Sequence, residues 1–276
     1  MFIGVAQAAE EAAAGGEASL EPANIVTLLH HYFPHSAVVE FLHHFENPFF
    51  SAIAIFILVF IARQATRRTQ MVPGKLQNLV ETAVESLDEF VTGVMGPAGR
   101  RFTPFIGTLF LYILTMNLIG IIPGMKAPTS GINTTVALAL TVFIYVQFTA
   151  IRMNGLLGYL DHLAGSPRPH GPVGYLIALV SVPFNFILHT LGELTKPLSL
   201  SLRLFGNIFG EDVLIGQMLI LGIAALSFIH SPIGIPLQFP FYLLAILTSV
   251  IQALVFSLLS TIYIFLMFPH AEEGHH

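Results

Sequence analysis

The sequence contains no cysteine, which excludes disulfides, thiolate metal centres and cysteine nucleophiles. It has no tryptophan and little charge: 10% of its 276 residues are Asp, Glu, Lys or Arg, against about 25% in an ordinary soluble domain. No GxSxG, HExxH or P-loop string occurs, so the sequence signs of a stand-alone hydrolase are missing. The net charge of −5 gives no basic footprint for a nucleic acid. Basic residues are also unevenly spread, with none before Arg63 and none after Arg203.

Apolar residues make up 54% of the chain and the mean hydropathy is +0.77. Several apolar runs approach or exceed the roughly 20 residues that cross a hydrocarbon core. The runs are continuous rather than alternating, which argues against a β-barrel. The expected fold is an all-α membrane protein with about five crossing helices. The spans fall at about 48–64, 102–123, 134–151, 175–228 and 238–268. Arg152 is expected to end the third. Between the first two lies "VPGKLQNLVETAVESLDEFVTGVMG", in which Val80, Val84, Leu87 and Val91 recur at helical spacing. It is too polar to span, and is expected at about 74–95 as an amphipathic helix along the membrane surface.

Six of the eleven basic residues lie between Arg63 and Arg101, and Arg152 and Arg168 follow the third span. The positive-inside rule therefore puts both connections in the cytoplasm. That leaves 1–46 as an external N-terminal segment, 47–276 as one membrane domain, and the C-terminus in the cytoplasm. The first nine residues are too short and uncharged for a full signal peptide. Five histidines lie between His30 and His44. Their spacing matches no known metal site, so an exposed interfacial segment is expected, with no metal or other cofactor.

Within the longest apolar run stands "LSLSLRLFGNIFGED", Leu198 to Asp212. An arginine at a span centre costs about 2.5–3.5 kcal/mol on insertion scales, and natural spans keep one only where it faces protein or water. At 100° per residue, Ser199, Arg203 and Asn207 lie within about 40° of one line. Lys196 and His189 fall near it. Asp212 points to the opposite face, Glu211 lies between, and Glu193 is about 80° away. No acid on the same helix can easily neutralise Arg203, which favours a carboxylate on another subunit. The last run has a polar stripe of Thr248, Gln252 and Tyr263, and Gln252 could hold the guanidinium or bridge waters.

"KPLSLSLRLFGNIFGED" resembles the signature of subunit a of F-type ATP synthases, the membrane stator of the rotary motor. "VPGKLQNLVE", "NLIGIIPG", "INTTVALAL" and "SVIQALVFSLLSTIYI" resemble that family too, in the same order, over about residues 45–268. The resemblance implies that the last two helices form a strongly tilted hairpin against a ring of c subunits. It also implies b subunits of a peripheral stalk, and a place in the F-type ATP synthase of a bacterial inner membrane. Arg203 takes the place of the essential stator cation. An ion pathway through two aqueous half-channels is implied at Asn207, Gln252, Asp212, Glu211, Lys196, His189, Glu193, Ser199 and Tyr263. The chain departs from the family in having Ala245 where a histidine is common, Gly131 where an acid is common, and His189 where an acid is common. A secondary ion transporter predicts internal repeats, and no convincing repeat is visible. A purely structural anchor predicts no loss of function when Arg203 is neutralised.

Overall fold

The computed structural model describes residues 24–33, 36–67, 74–165, 171–227 and 236–268. Residues 1–23, His35, Arg68 and Arg168, on which expectations were placed, lie outside these. The described residues form eight α-helices and two short 3₁₀ turns, with no strand. In chain order the helices are α1 (Ile25–Tyr32), α2 (Ala37–His44), α3 (Glu46–Thr66), α4 (Lys75–Met95), α5 (Thr103–Ile121), α6 (Ile132–Leu163), α7 (Gly171–Ser227) and α8 (Phe239–Phe265). Five helical segments are long and apolar enough to cross a membrane: Glu46–Thr66, Pro97–Ile121, Ile132–Asp161, Ser181–Gly222 and Phe239–Phe265. This is an all-α, multi-pass membrane protein.

The third span runs past Arg152. A cation near a helix C-terminus is favourable to the helix dipole and does not end the helix. The interruption comes at Gly155, whose φ of 68° lies in the left-handed region that glycine enters without steric cost. A kink follows there, and the chain continues helically to Leu163. The Pro123-Gly124 turn after α5 uses the same freedom, with Gly124 at φ 89°.

The core is a seam of side chains from α5, α6, α7 and α8. Ile106, Ile113, Met116, Val142, Leu200, Leu204, Ala253, Phe256 and Ile264 are all essentially inaccessible. Around it, Phe56, Phe148, Leu157, Leu191 and Leu198 are exposed. An apolar exterior of this kind suits lipid. On α4 the buried residues are Leu87, Val91 and Met95, at i, i+4 and i+8. Leu76, Leu79 and Val84, earlier on the same helix, stay exposed. Asp88 ties α4 to the start of α5, accepting from the Thr103 hydroxyl at 2.7 Å and pairing with Arg100 at 3.2 Å.

Asn24 caps α1 through its side-chain oxygen, which accepts from the Val26 and Thr27 amides. Its amide donates to Glu46, which also pairs with Lys126 at 3.5 Å. The Ile25 N–H donates to the Gly124 carbonyl at 2.7 Å. The start of the first span and the α1 helix before it are thus both fastened to the loop after the second.

Candidate functional site

The long apolar run forms a single helix, α7, of 57 residues with Pro183 and Pro197 inside it. It packs against α8, and three contacts fix the register of this pair. Asn207 Nδ2 donates to Gln252 Oε1 at 2.6 Å. The Thr248 hydroxyl donates to Glu211. The Lys196 ammonium sits 5.4 Å from the centre of the Tyr263 ring. From the first pair to the second, four residues forward on α7 match four back on α8. From the first to the third, eleven back match eleven forward. That is antiparallel packing without slippage, and it brings Phe256 opposite Arg203 rather than any acid.

Arg203 is exposed, close to the midpoint of the Ser181–Gly222 span. It makes no hydrogen bond or ion pair among the described residues. Gly206, Asn207 and Gly210 beside it are exposed too. A Cβ built on either glycine would meet nothing within 4 Å. The face of α7 that carries the cation therefore projects outward and has room for another backbone to approach closely.

On the Gly171 side of Arg203 lies a network joining three helices. Glu193 pairs with Lys196, one turn on. Its other oxygen accepts from Gln147 Nε2 of α6 at 3.0 Å, and Gln147 Oε1 accepts from the Tyr159 hydroxyl at 2.7 Å. The Gly155 kink folds the end of α6 so that Tyr159 reaches back to Gln147, twelve residues earlier. Glu193 and Lys196 border a narrow cleft of about 10 Å³ lined also by Phe143, Pro197, Leu200 and Tyr263. The Tyr263 hydroxyl is within electrostatic range of both Arg203 and Glu193.

On the Ser227 side lies a second polar group. Glu211 and Asp212 are half-buried. Glu211 meets Thr248, and Asp212 lies in electrostatic range of Tyr242. One turn closer to Arg203, Gln252 is buried. It bonds Asn207 rather than the guanidinium, and its Nε2 has no partner among the described residues. Buried Asn117 of α5 donates to the Ser249 carbonyl at 3.5 Å and accepts from Thr129 at 2.7 Å.

Of the residues the sequence singled out, the structure gathers Glu193, Lys196 and Tyr263 in one group and Glu211, Asp212, Asn207 and Gln252 in the other. Arg203 stands between the two, and Ser199 and His189 are exposed on α7. Sequence reasoning missed Asn117, Gln147 and Tyr159. Asn117 and Gln147 stand out as polar residues in apolar runs, and that oddity was the available signal; Tyr159, close to Asp161 and His162, gave none.

The sequence matches the family described as ATP synthase A chain over residues 48–265. It is 45% identical over 243 residues to the ATP synthase subunit a of Protochlamydia amoebophila, covering 88% of each chain. Identity to the subunit of the same name from Solidesulfovibrio magneticus is 40% over 86% of this chain and 88% of that one. For Moorella thermoacetica it is 36% over 83% and 96%.

Proposed function

Because this chain belongs to the ATP synthase A chain family, we propose that it is the ion-translocating stator subunit of a rotary F-type ATP synthase. Its partners are a c-subunit ring on the Arg203 face and the b subunits of a peripheral stalk. It does no catalysis by itself; the ATP chemistry belongs to other subunits. The single observation that carries this reading is an exposed arginine at membrane depth that pairs with no acid among the described residues. Natural spans keep such a cation only where it faces protein or water, and here it faces an acidic group on a passing rotor helix.

The mechanism follows from charge. At about 4 Å and an effective dielectric constant of about 20, Arg203 and a rotor carboxylate attract by roughly 4 kcal/mol. That favours the ionised carboxylate by about three orders of magnitude, so the bound ion is released. A carboxylate leaving Arg203 must be neutralised before it enters lipid, where a bare charge is costly. The ion therefore arrives by one half-channel and departs by the other, and the fixed cation blocks a direct passage between them. Each charge crossing 100 mV supplies about 2.3 kcal/mol.

The positive-inside rule puts the 152–172 connection in the cytoplasm and the N-terminus outside. The Glu193–Lys196–Tyr263 group then belongs to the inner half-channel, and the Glu211–Asp212 group to the outer. The helix length supports a strongly tilted hairpin. The 42-residue span from Ser181 to Gly222 is about 63 Å long at 1.5 Å per residue, twice the roughly 30 Å hydrocarbon core. The membrane is that of a bacterial cell.

The absence of cysteine makes the rotor contact directly testable. A single cysteine at Gly206 is expected to cross-link, on mild oxidation, to a cysteine placed next to the rotor carboxylate. One at Phe148, on the apolar exterior, is expected to give no such product. Equal yields from the two positions would remove the Arg203 face from the rotor. On the outer side, Asp212→Asn is expected to slow ion conduction into the complex, measured as passive flux through vesicles stripped of the catalytic head. An unchanged flux takes Asp212 off the path.

A further inference from the structure

The Thr248 hydroxyl has three oxygen neighbours and one hydrogen to give them. One neighbour is the Glu211 carboxylate on the facing helix. The others are the carbonyls of Leu244 at 3.0 Å and Ala245 at 3.2 Å, one turn back on its own helix. Both carboxylate and hydroxyl are half-buried. At such a site, leaving a donor or acceptor unsatisfied is costly. An ionised carboxylate needs a donor and a protonated one needs an acceptor. Of the uncharged side chains, only a hydroxyl can supply both from one atom by rotation.

We infer that Thr248 is a positioning residue for proton passage over Glu211, its hydroxyl turning between the carboxylate and the Leu244 and Ala245 carbonyls as Glu211 gains and loses a proton. While Glu211 is ionised, the Thr248 O–H donates to it. When a proton arrives from water and binds a Glu211 oxygen, the new carboxylic O–H donates to Thr248 Oγ1, and the threonine hydrogen turns to the backbone carbonyls. When the proton moves on, the hydroxyl turns back. One proton enters and one leaves, no heavy atom need move, and no polar group is stranded in either state. A hard metal ion instead takes a full shell of oxygens. The two carbonyls here already accept helical N–H groups one turn on, so the site suits a proton better than sodium.

This inference rests on the stator reading, and it names Thr248 and the proton within the outer half-channel. It is tested on the whole complex in vesicles stripped of the catalytic head, in potassium buffers nominally free of sodium, with passive flux as the readout. Thr248→Val, which keeps the shape and loses the hydroxyl, is expected to lower flux about tenfold. Thr248→Ser is expected to stay within about twofold of the unchanged protein. Thr248→Val combined with Glu211→Gln is expected to be no slower than Glu211→Gln alone, because the two groups act as one unit. Copurification of the c ring checks assembly. Should the valine variant not assemble, Thr248→Ala takes its place with the same expectation. A valine or alanine variant with normal flux overturns the inference. So does a serine variant as slow as valine, a fully additive double variant, or a flux that requires sodium. Failure of the stator reading is seen separately, as normal pumping by an Arg203 variant whatever residue 248 is.

Discussion

Arg203→Lys is expected to abolish ATP-driven ion pumping while the complex still assembles with its c ring. The variant keeps the formal charge, so the expectation turns on how that charge is held. A guanidinium stays protonated in low-dielectric surroundings and offers five donors in a planar fork. An ammonium loses its proton more readily when desolvated, and it then no longer draws the rotor carboxylate into its ionised form. Arg203→Ala removes the whole attraction of roughly 4 kcal/mol, and ion release is expected to fall about a thousandfold. Because Arg203 makes no hydrogen bond or ion pair among the described residues, neither change strands an acid among them. Assembly, checked by copurification of the rotor ring, should therefore survive. Normal acidification of inverted vesicles by the lysine variant would refute the role, and a purely structural anchor would give that result.

The second large effect is expected at Lys196. This ammonium pairs with Glu193, whose other oxygen is held by Gln147 from a neighbouring helix. Both charged side chains are largely removed from the surface, at 22% and 12% exposure. Breaking a buried pair costs about 3–5 kcal/mol, because the remaining charge is left uncompensated. With this partial exposure, Lys196→Met is expected to cost about 2–3 kcal/mol, read as a lower thermal midpoint of the detergent-solubilised complex. Lys196→Met combined with Glu193→Gln should recover most of that loss, since a neutral amide needs no counter-charge and can still meet Gln147. If the double variant is as unstable as the single one, the loss at Lys196 does not come from an uncompensated Glu193 charge.

The spans, the surface helix and the anomalous arginine were legible in the sequence because each is a local property. A bilayer demands long apolar runs whose backbone is satisfied within the helix, so hydropathy along one dimension reveals α3, α5 and α6, and the great length of α7. Arg203 was conspicuous for the same reason: a charge is costly there whatever surrounds it. The end of the third span was misplaced, since an arginine suits a helix end without causing one, and the break fell instead to Gly155.

What Arg203 faces was only partly legible. Helical angles excluded Glu211, Asp212 and Glu193 as easy partners, and the structure agrees that none pairs with it. The same angles offered Gln252 as a holder of the guanidinium, yet Gln252 bonds Asn207, 45 residues away in sequence. The sequence alone determined a five-span α-helical membrane protein with one costly cation, because those features answer to the solvent around each segment. The tertiary structure decided which side chains meet. It joined Glu211 to Thr248 across 37 residues and Gln147 to Glu193 across 46, and it left Arg203 facing outward. Such pairings depend on the register in which two distant helices pack, and no local pattern encodes that register.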